Sequence, residues 1–221
     1  LCDMRPAFPA VCLGLLLVFV FWAPVSAETF EMVSDTLVYD PDTDMIRAEG
    51  NVKITGESMN ASASRGEATA DGTVMRLFGN VDASWENGRR KILCDELESE
   101  MLDGRRRVRA EQVHRFEDAE MDVVLQADSV RGLLEEGVFV TMEARGNVKA
   151  DATTADGRPV TVTSRAADYD KTKGTLMFYG EAKAVQPGRV LTADRLIYRL
   201  ETGRIEAEGN PRIIVEMEQE S

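Results

Sequence analysis

The residue types that usually carry catalysis are scarce in this chain and poorly placed for it. His114 is the single histidine, and of three cysteines only Cys94 lies beyond the N-terminal apolar stretch. Nucleophilic catalysis needs a nucleophile within reach of a base. Cys94 and His114 fall on different expected strands, and nothing nearby completes a pair. No nucleophile elbow, phosphate loop or zinc-ligand spacing occurs. Glu117, Asp118, Glu120 and Asp122 cluster, but they lack the glycine and spacing of a calcium loop and read as a solvated segment. The sequence therefore offers no catalytic residue, no metal site and no cofactor. A lone thiol cannot make an internal disulfide, so Cys94 is expected to be a small strand residue.

What the chain does carry is repetition. One block reads Ser34-Asp35-Thr36-Leu37-Val38-Tyr39, a turn, then Met45-Ile46-Arg47-Ala48-Glu49-Gly50-Asn51-Val52-Lys53-Ile54. The last block reads Ala193-Asp194-Arg195-Leu196-Ile197-Tyr198, a turn, then Arg204-Ile205-Glu206-Ala207-Glu208-Gly209-Asn210-Pro211-Arg212-Ile213. Four weaker copies lie between, with marker glycines at Gly50, Gly79, Gly146, Gly180 and Gly209 and Gln112 in that place in the third copy. A period of roughly thirty residues marks a unit that buries its apolar face only against its neighbours.

Each unit reads as a β-hairpin. Ile46, Ala48, Gly50, Val52 and Ile54 share one face, with Arg47, Glu49, Asn51 and Lys53 on the other. Val138, Val140, Met142, Ala144, Gly146 and Val148 repeat the pattern, because side chains alternate along a strand. Asp71-Gly72, Asn87-Gly88, Asp103-Gly104 and Asp156-Gly157 suit tight hairpin turns, which need positive φ. The marker glycine is expected on the apolar face, lining up a crease that folds the sheet on itself; the alternative is a twisted sheet with β-bulges at those points. Aligned to the repeat, His114 takes the place of Val52 on the inward face. The charged stretch from Glu111 to Gln126 is expected to hold a longer loop, and residues 216–221 a disordered tail.

The ends and the charge bound the setting. Arg5, the apolar run Val11–Trp22, Pro24 and the small residues Val25 and Ala27 fit a signal peptide over residues 1–27, cleaved near Ala27. Export to the periplasm follows. Ala7 to Ala27 carries no charge, which leaves an uncleaved anchor as the alternative. The formal net charge is -13, and residues 1–27 hold one Asp and one Arg, so cleavage leaves it unchanged. So acidic a chain repels phosphate backbones, which excludes nucleic acid as a partner.

The unit [Ala/Ser]-Asp-x-Leu-x-Tyr, a turn, then Glu-Gly-Asn-Val-x-Ile resembles the OstA-like (LptA) family of periplasmic lipopolysaccharide-transport proteins of Gram-negative cells. The likeness covers about residues 30–215, and Gln112, Arg65 and Arg165 depart from it. It implies an all-β, repeat-built, open (V-shaped) β-jelly roll of antiparallel strands over residues 28–215. It implies a groove for lipid acyl chains and end-to-end joining with homologous domains of inner- and outer-membrane components, or with further copies. The expected lining is the apolar hairpin face: Ile46, Val52, Ile54, Leu77, Val81, Val140, Met142, Val148, Leu176, Phe178, Ile205 and Ile213. Burial is the force available, since each exposed methylene costs about 0.8 kcal/mol. A structural repeat protein whose apolar face is only core is the competing reading.

Overall fold

A computed structural model describes residues 30–56, 59–154 and 156–215. The expected signal segment and the C-terminal tail lie outside the described residues.

Among the described residues, fourteen strands form one antiparallel sheet. Two short strands, β1 (Phe30–Val33) and β2 (Thr36–Asp40), share one edge by pairing with different halves of β3 (Met45–Gly56). A meander of long strands follows: β4 (Met59–Thr69), β5 (Val74–Trp85), β6 (Arg90–Leu102), β7 (Arg105–Asp118), β8 (Val123–Glu135), β9 (Val138–Thr153), β10 (Pro159–Asp170), β11 (Thr175–Gln186) and β12 (Arg189–Arg199). Two more short strands, β13 (Arg204–Glu208) and β14 (Arg212–Val215), close the other edge on β12. The fold is an open antiparallel β-jelly roll.

Every neighbouring pair of long strands shifts register near mid-length, as at Glu49/Val52 in β3–β4 and Tyr179/Ala182 in β11–β12. The edges break on the same line, at Asp35 and at Asn210. The cause is local. Gly50 and Asn51, Gly79 and Asn80, Gly146 and Asn147, Gly180 and Glu181, and Gly209 and Asn210 all have positive φ in succession. Glycine adopts this region freely and asparagine more readily than most residues. The crease and the bulge are thus one feature, and it divides the sheet into a β2–β13 wall and a β1–β14 wall.

The crease also gives a role to the Asp and Gly-Asn of three of the repeats. Asn51 donates to Asp35 (2.9 Å), Asn147 to Asp128 (3.0 Å) and Asn210 to Asp194 (3.0 Å). The glycine beside each asparagine lies under that aspartate: a β-carbon at Gly50, Gly146 or Gly209 would fall within 3.0 Å of its carboxylate. The marker glycine therefore does not stand in the apolar row, as the alternation implies; it makes room for an aspartate clasped across the crease. Ser64, accepting no such partner, donates to the Gly79 carbonyl instead (3.1 Å).

Three further expectations change. The third copy has a single left-handed residue, Gln112, and its extra residue falls later, between Val113 and Phe116. Val113 takes the inward slot, and His114 turns outward to Asp95 at 3.0 Å with its side chain 62% exposed. A second bulge in the β8–β9 pair puts Phe139 inward and leaves Val138 and Val140 off the inner row. The stretch from Glu111 to Gln126 is no long loop, because β7 runs to Asp118 and β8 begins at Val123.

Gly146→Ala should cost more than the roughly 1–2 kcal/mol of a left-handed alanine alone, because of the Asp128 carboxylate. Gly104→Ala, at φ 76 with nothing within 4 Å of a β-carbon, should cost only the backbone strain. Urea unfolding of the two variants measures the difference, and equal losses would rule out the clasp.

Candidate functional site

The inner faces of both walls are apolar almost from edge to edge. On the β2–β13 wall one register row runs Leu37, Ala48, Gly66, Leu77, Leu97, Ala110, Val130, Ala144, Ala167, Phe178, Leu196, Ala207. On the β1–β14 wall another runs Met32, Ile54, Ala61, Ala83, Ile92, Phe116, Leu125, Ala150, Val162, Ala184, Leu191, Ile213. The outer rows are charged, with pairs such as Arg76–Glu98 at 3.0 Å and Arg199–Glu206 at 2.8 Å.

Of the expected lining residues, Ile54, Leu77, Phe178 and Ile213 lie on these two rows. Ile46, Met142, Leu176 and Ile205 share a second row of the β2–β13 wall. Val52, Val81 and Val148 stand buried beside the crease. Val140 lies on none of these rows. Phe139, which periodicity passes over, is the residue that counts: it packs edge-on against Phe116, with centroids 5.5 Å apart at 84°. Gly132 on the next strand leaves the space its ring needs.

The walls close on each other with an offset. Phe116 comes from the β1–β14 wall part of β7 and Phe139 from the β2–β13 wall part of β9. Arg90 at the start of β6 donates to the carbonyl of Gly137 in the β8–β9 turn (3.0 Å). The Tyr198 hydroxyl in β12 donates to the Thr153 carbonyl at the end of β9 (2.7 Å). Each strand of one wall thus faces a strand two or three places further along the other. Mid-molecule the side chains interdigitate: Leu77, Met142, Leu176 and Phe178 are at most 1% exposed. At two diagonal corners the offset leaves nothing opposite. Leu37 and Tyr39 are 49% and 51% exposed at one, and Ile213 and Val215 are 61% and 52% exposed at the other. The second corner holds a cleft of about 400 Å³ with Ala184, Leu191, Ile205 and Ile213 on its floor.

One ionic cluster ties the walls. Arg90 is 1% exposed and meets Asp118 (2.7 Å), Glu86 (2.6 Å) and Glu120 (3.2 Å). Burial alone would lower its pKa; its hydrogen bond to Asp118 and the charges of Asp118, Glu86 and Glu120 reverse that and raise it. Cys94 is buried, and loss of solvation, with Asp95 and Glu96 adding to it, pushes its thiol up to about 12. It is held as the unreactive thiol. Among the described residues no three His, Cys, Asp or Glu side chains gather as a metal-binding group, and no helix is long and apolar enough to cross a membrane.

Known protein families match two stretches of the chain. Residues 100–204 match the family described as LptA/(LptD N-terminal domain) LPS transport protein. Residues 18–86 match the family described as lipopolysaccharide-assembly, LptC-related. Together the two matches support an LptA/OstA-like family protein. Its involvement in lipopolysaccharide transport follows from that family. A similar solved structure is LptH of Pseudomonas aeruginosa, described as the LptA-homologous periplasmic component of the lipopolysaccharide transport device. It is 10% identical, over 86% of this chain and 96% of that one, with a TM-score of 0.24, so the LptA-like fold rests on the strand pairings and not on this alignment. No curated protein matches the chain.

Two outcomes check the interior of this LptA-like chain. Arg90→Ala leaves three carboxylates around a buried site and should cost about 3–5 kcal/mol in urea unfolding. Arg76→Ala, in an exposed pair, should cost under about 1 kcal/mol. Cys94 should resist iodoacetamide at pH 8 in the folded protein and react once it is unfolded; alkylation of the native chain at a free-thiol rate would refute its burial.

Proposed function

We propose that the protein is a periplasmic carrier for lipopolysaccharide, shielding acyl chains between its two walls and joining homologous domains edge to edge. The observation that carries this reading is the pair of uncovered corners. An apolar interior that served only as core would end in polar residues at its open corners, because exposed apolar area costs about 25 cal/mol per Å². Here the inner rows run out into solvent at both, at Leu37 and Tyr39 and again at Ile213 and Val215.

The unpaired strands at these corners support the joining. β13 and β14 run antiparallel to β12, and β1 and β2 run antiparallel to β3. Setting the last edge of one domain beside the first edge of the next therefore continues the meander, and backbone groups left open on each edge supply the ladder. Pro211 falls at the crease between β13 and β14, where no ladder bond is needed.

Carriage through the middle requires the walls to part. The closed middle also favours a purely structural role, and one experiment separates the two. A photo-crosslinking residue at Ile213 should capture lipopolysaccharide in cells at an open corner, and one at Phe178 should capture it if the walls open in transit. Capture at neither would leave the protein structural. Crosslinkers at Val38 and Ile214 should trap neighbouring domains.

The LptC-related match over residues 18–86 supports a second arrangement, in which the segment before Glu28 is kept as an anchor. N-terminal sequencing of the protein from cells decides it: a start at Glu28 supports the free carrier, and retention of the apolar run supports the anchored one.

A further inference from the structure

The cleft at the β14 corner is not purely apolar. Arg158, Arg189 and Arg204 line it together with a single carboxylate, Asp156. Two of the guanidiniums are engaged: Arg158 donates to Asp156 at 2.7 Å, and Arg204 lies 3.8 Å from Glu206. Arg189 makes no side-chain hydrogen bond or ion pair among the described residues. Its register explains why it is unusual. Arg189 stands opposite Gln186 on β11 and Val215 on β14, two positions from Leu191, so it shares the inner face with Leu191 and Ile213. It is a charged residue one row beyond Leu191 and Ile213, at the rim of a mostly apolar inner face, in a chain of net charge -13.

We propose that this corner is a site for an amphiphile with a phosphate headgroup, its chain laid on Ala184, Leu191, Ile205 and Ile213 and its phosphate held by Arg189 with Arg204. The proposal rests on the lipid-carrying reading and adds to it a recognition of charge at one mouth. The chemistry fits each half. A cleft of about 400 Å³ lies within the ~300–1,000 Å³ typical of small-molecule sites. Guanidinium groups match phosphate oxygens through paired, charge-assisted hydrogen bonds. Arg189 enters such a contact without first giving up another partner. The opposite corner, at Leu37, Tyr39 and Ile46, has no comparable guanidinium in its inner row, so the two mouths differ in kind.

The test is binding of dodecyl phosphate and of uncharged dodecyl maltoside, both below micelle formation, by calorimetry on the full chain. Dodecyl phosphate should bind more tightly. Arg189→Gln combined with Arg204→Gln should weaken it about tenfold, or 1.4 kcal/mol, and leave dodecyl maltoside unchanged. Arg195→Gln, on the outer face against Glu208, should change neither. Repeating the comparison with diphosphoryl lipid A and with phosphatidylglycerol tells which phosphate source the site prefers.

Equal binding of the two dodecyl compounds by the unaltered chain overturns the headgroup site while leaving acyl carriage standing; binding of neither removes carriage as well. Glu216, Glu218 and Glu220 follow Val215 in the sequence. If the effect of Arg189→Gln vanishes when these three are changed to Gln, Arg189 serves the tail and not a ligand. If Arg189→Gln promotes self-association without altering binding, the arginine only guards the edge, and the proposal again falls.

Discussion

The line of left-handed residues across the sheet sets the rest of the structure. An antiparallel strand has no reason to turn back on itself mid-length, since continued pairing satisfies its backbone. Two successive positive-φ residues opposite one partner force the turn without ending the strand, and the hydrogen-bond ladder resumes at once on the far side. Repeated in each hairpin, the turn becomes a fold line. The aspartate clasp gives the line its chemistry: an asparagine amide bonds the carboxylate, and the glycine beside it has no side chain to obstruct it. Where the motif departs from Asp and Asn, other pairs occupy the position, as Arg165 with Glu181 and Asp95 with His114 do.

From the crease follows a change of phase. Along β4 the inward residues are Ala61 and Ala63 before it, Gly66 and Ala68 after. Along β12 they are Leu191 and Ala193, then Leu196 and Tyr198. The first strand of each hairpin thus shows two consecutive outward residues, while its partner keeps an unbroken alternation because the extra residue is its own. Half of the strands were therefore legible by simple period two, and these are the ones from which the inward faces of Ile46, Val52, Leu77 and Ile205 could be read. Val140 and His114 depart from that alternation for a related reason: each lies next to a bulge that its own sequence does not announce, one extra in β9 and one displaced in β7. A bulge is a property of a pair of strands, so one strand's alternation does not contain it. The same limit hid Phe139 and Arg90, whose partners lie across the fold and not along it.

The buried Arg90 cluster shows how the walls are held. Desolvating a guanidinium and a carboxylate costs several kcal/mol per ion before their attraction returns it, so such a cluster adds little net stability. What it adds is position. Apolar surfaces slide over each other with small changes in energy, whereas Arg90 satisfies Asp118, Glu86 and the Gly137 carbonyl together in one placement of the walls. The Tyr198 hydroxyl fixes the same offset further along. Between these two ties the inner rows are mostly hydrocarbon, so parting them would leave few polar groups unpaired.

The offset itself has a consequence for any single domain of this kind. If each strand faces one two or three places along, a finite sheet cannot cover both of its own ends; the first strands of one wall and the last strands of the other stay open whatever their sequence. Longer sheets only move the corners apart. The openness of the corners is in this sense required by the geometry, but the apolar residues there are not, and the area that Leu37 and Ile213 expose would be removed if another domain of the same offset were added at the edge. That addition would also extend both inner rows, so the contact that lowered the free energy of the corner would be the contact that lengthened the apolar face.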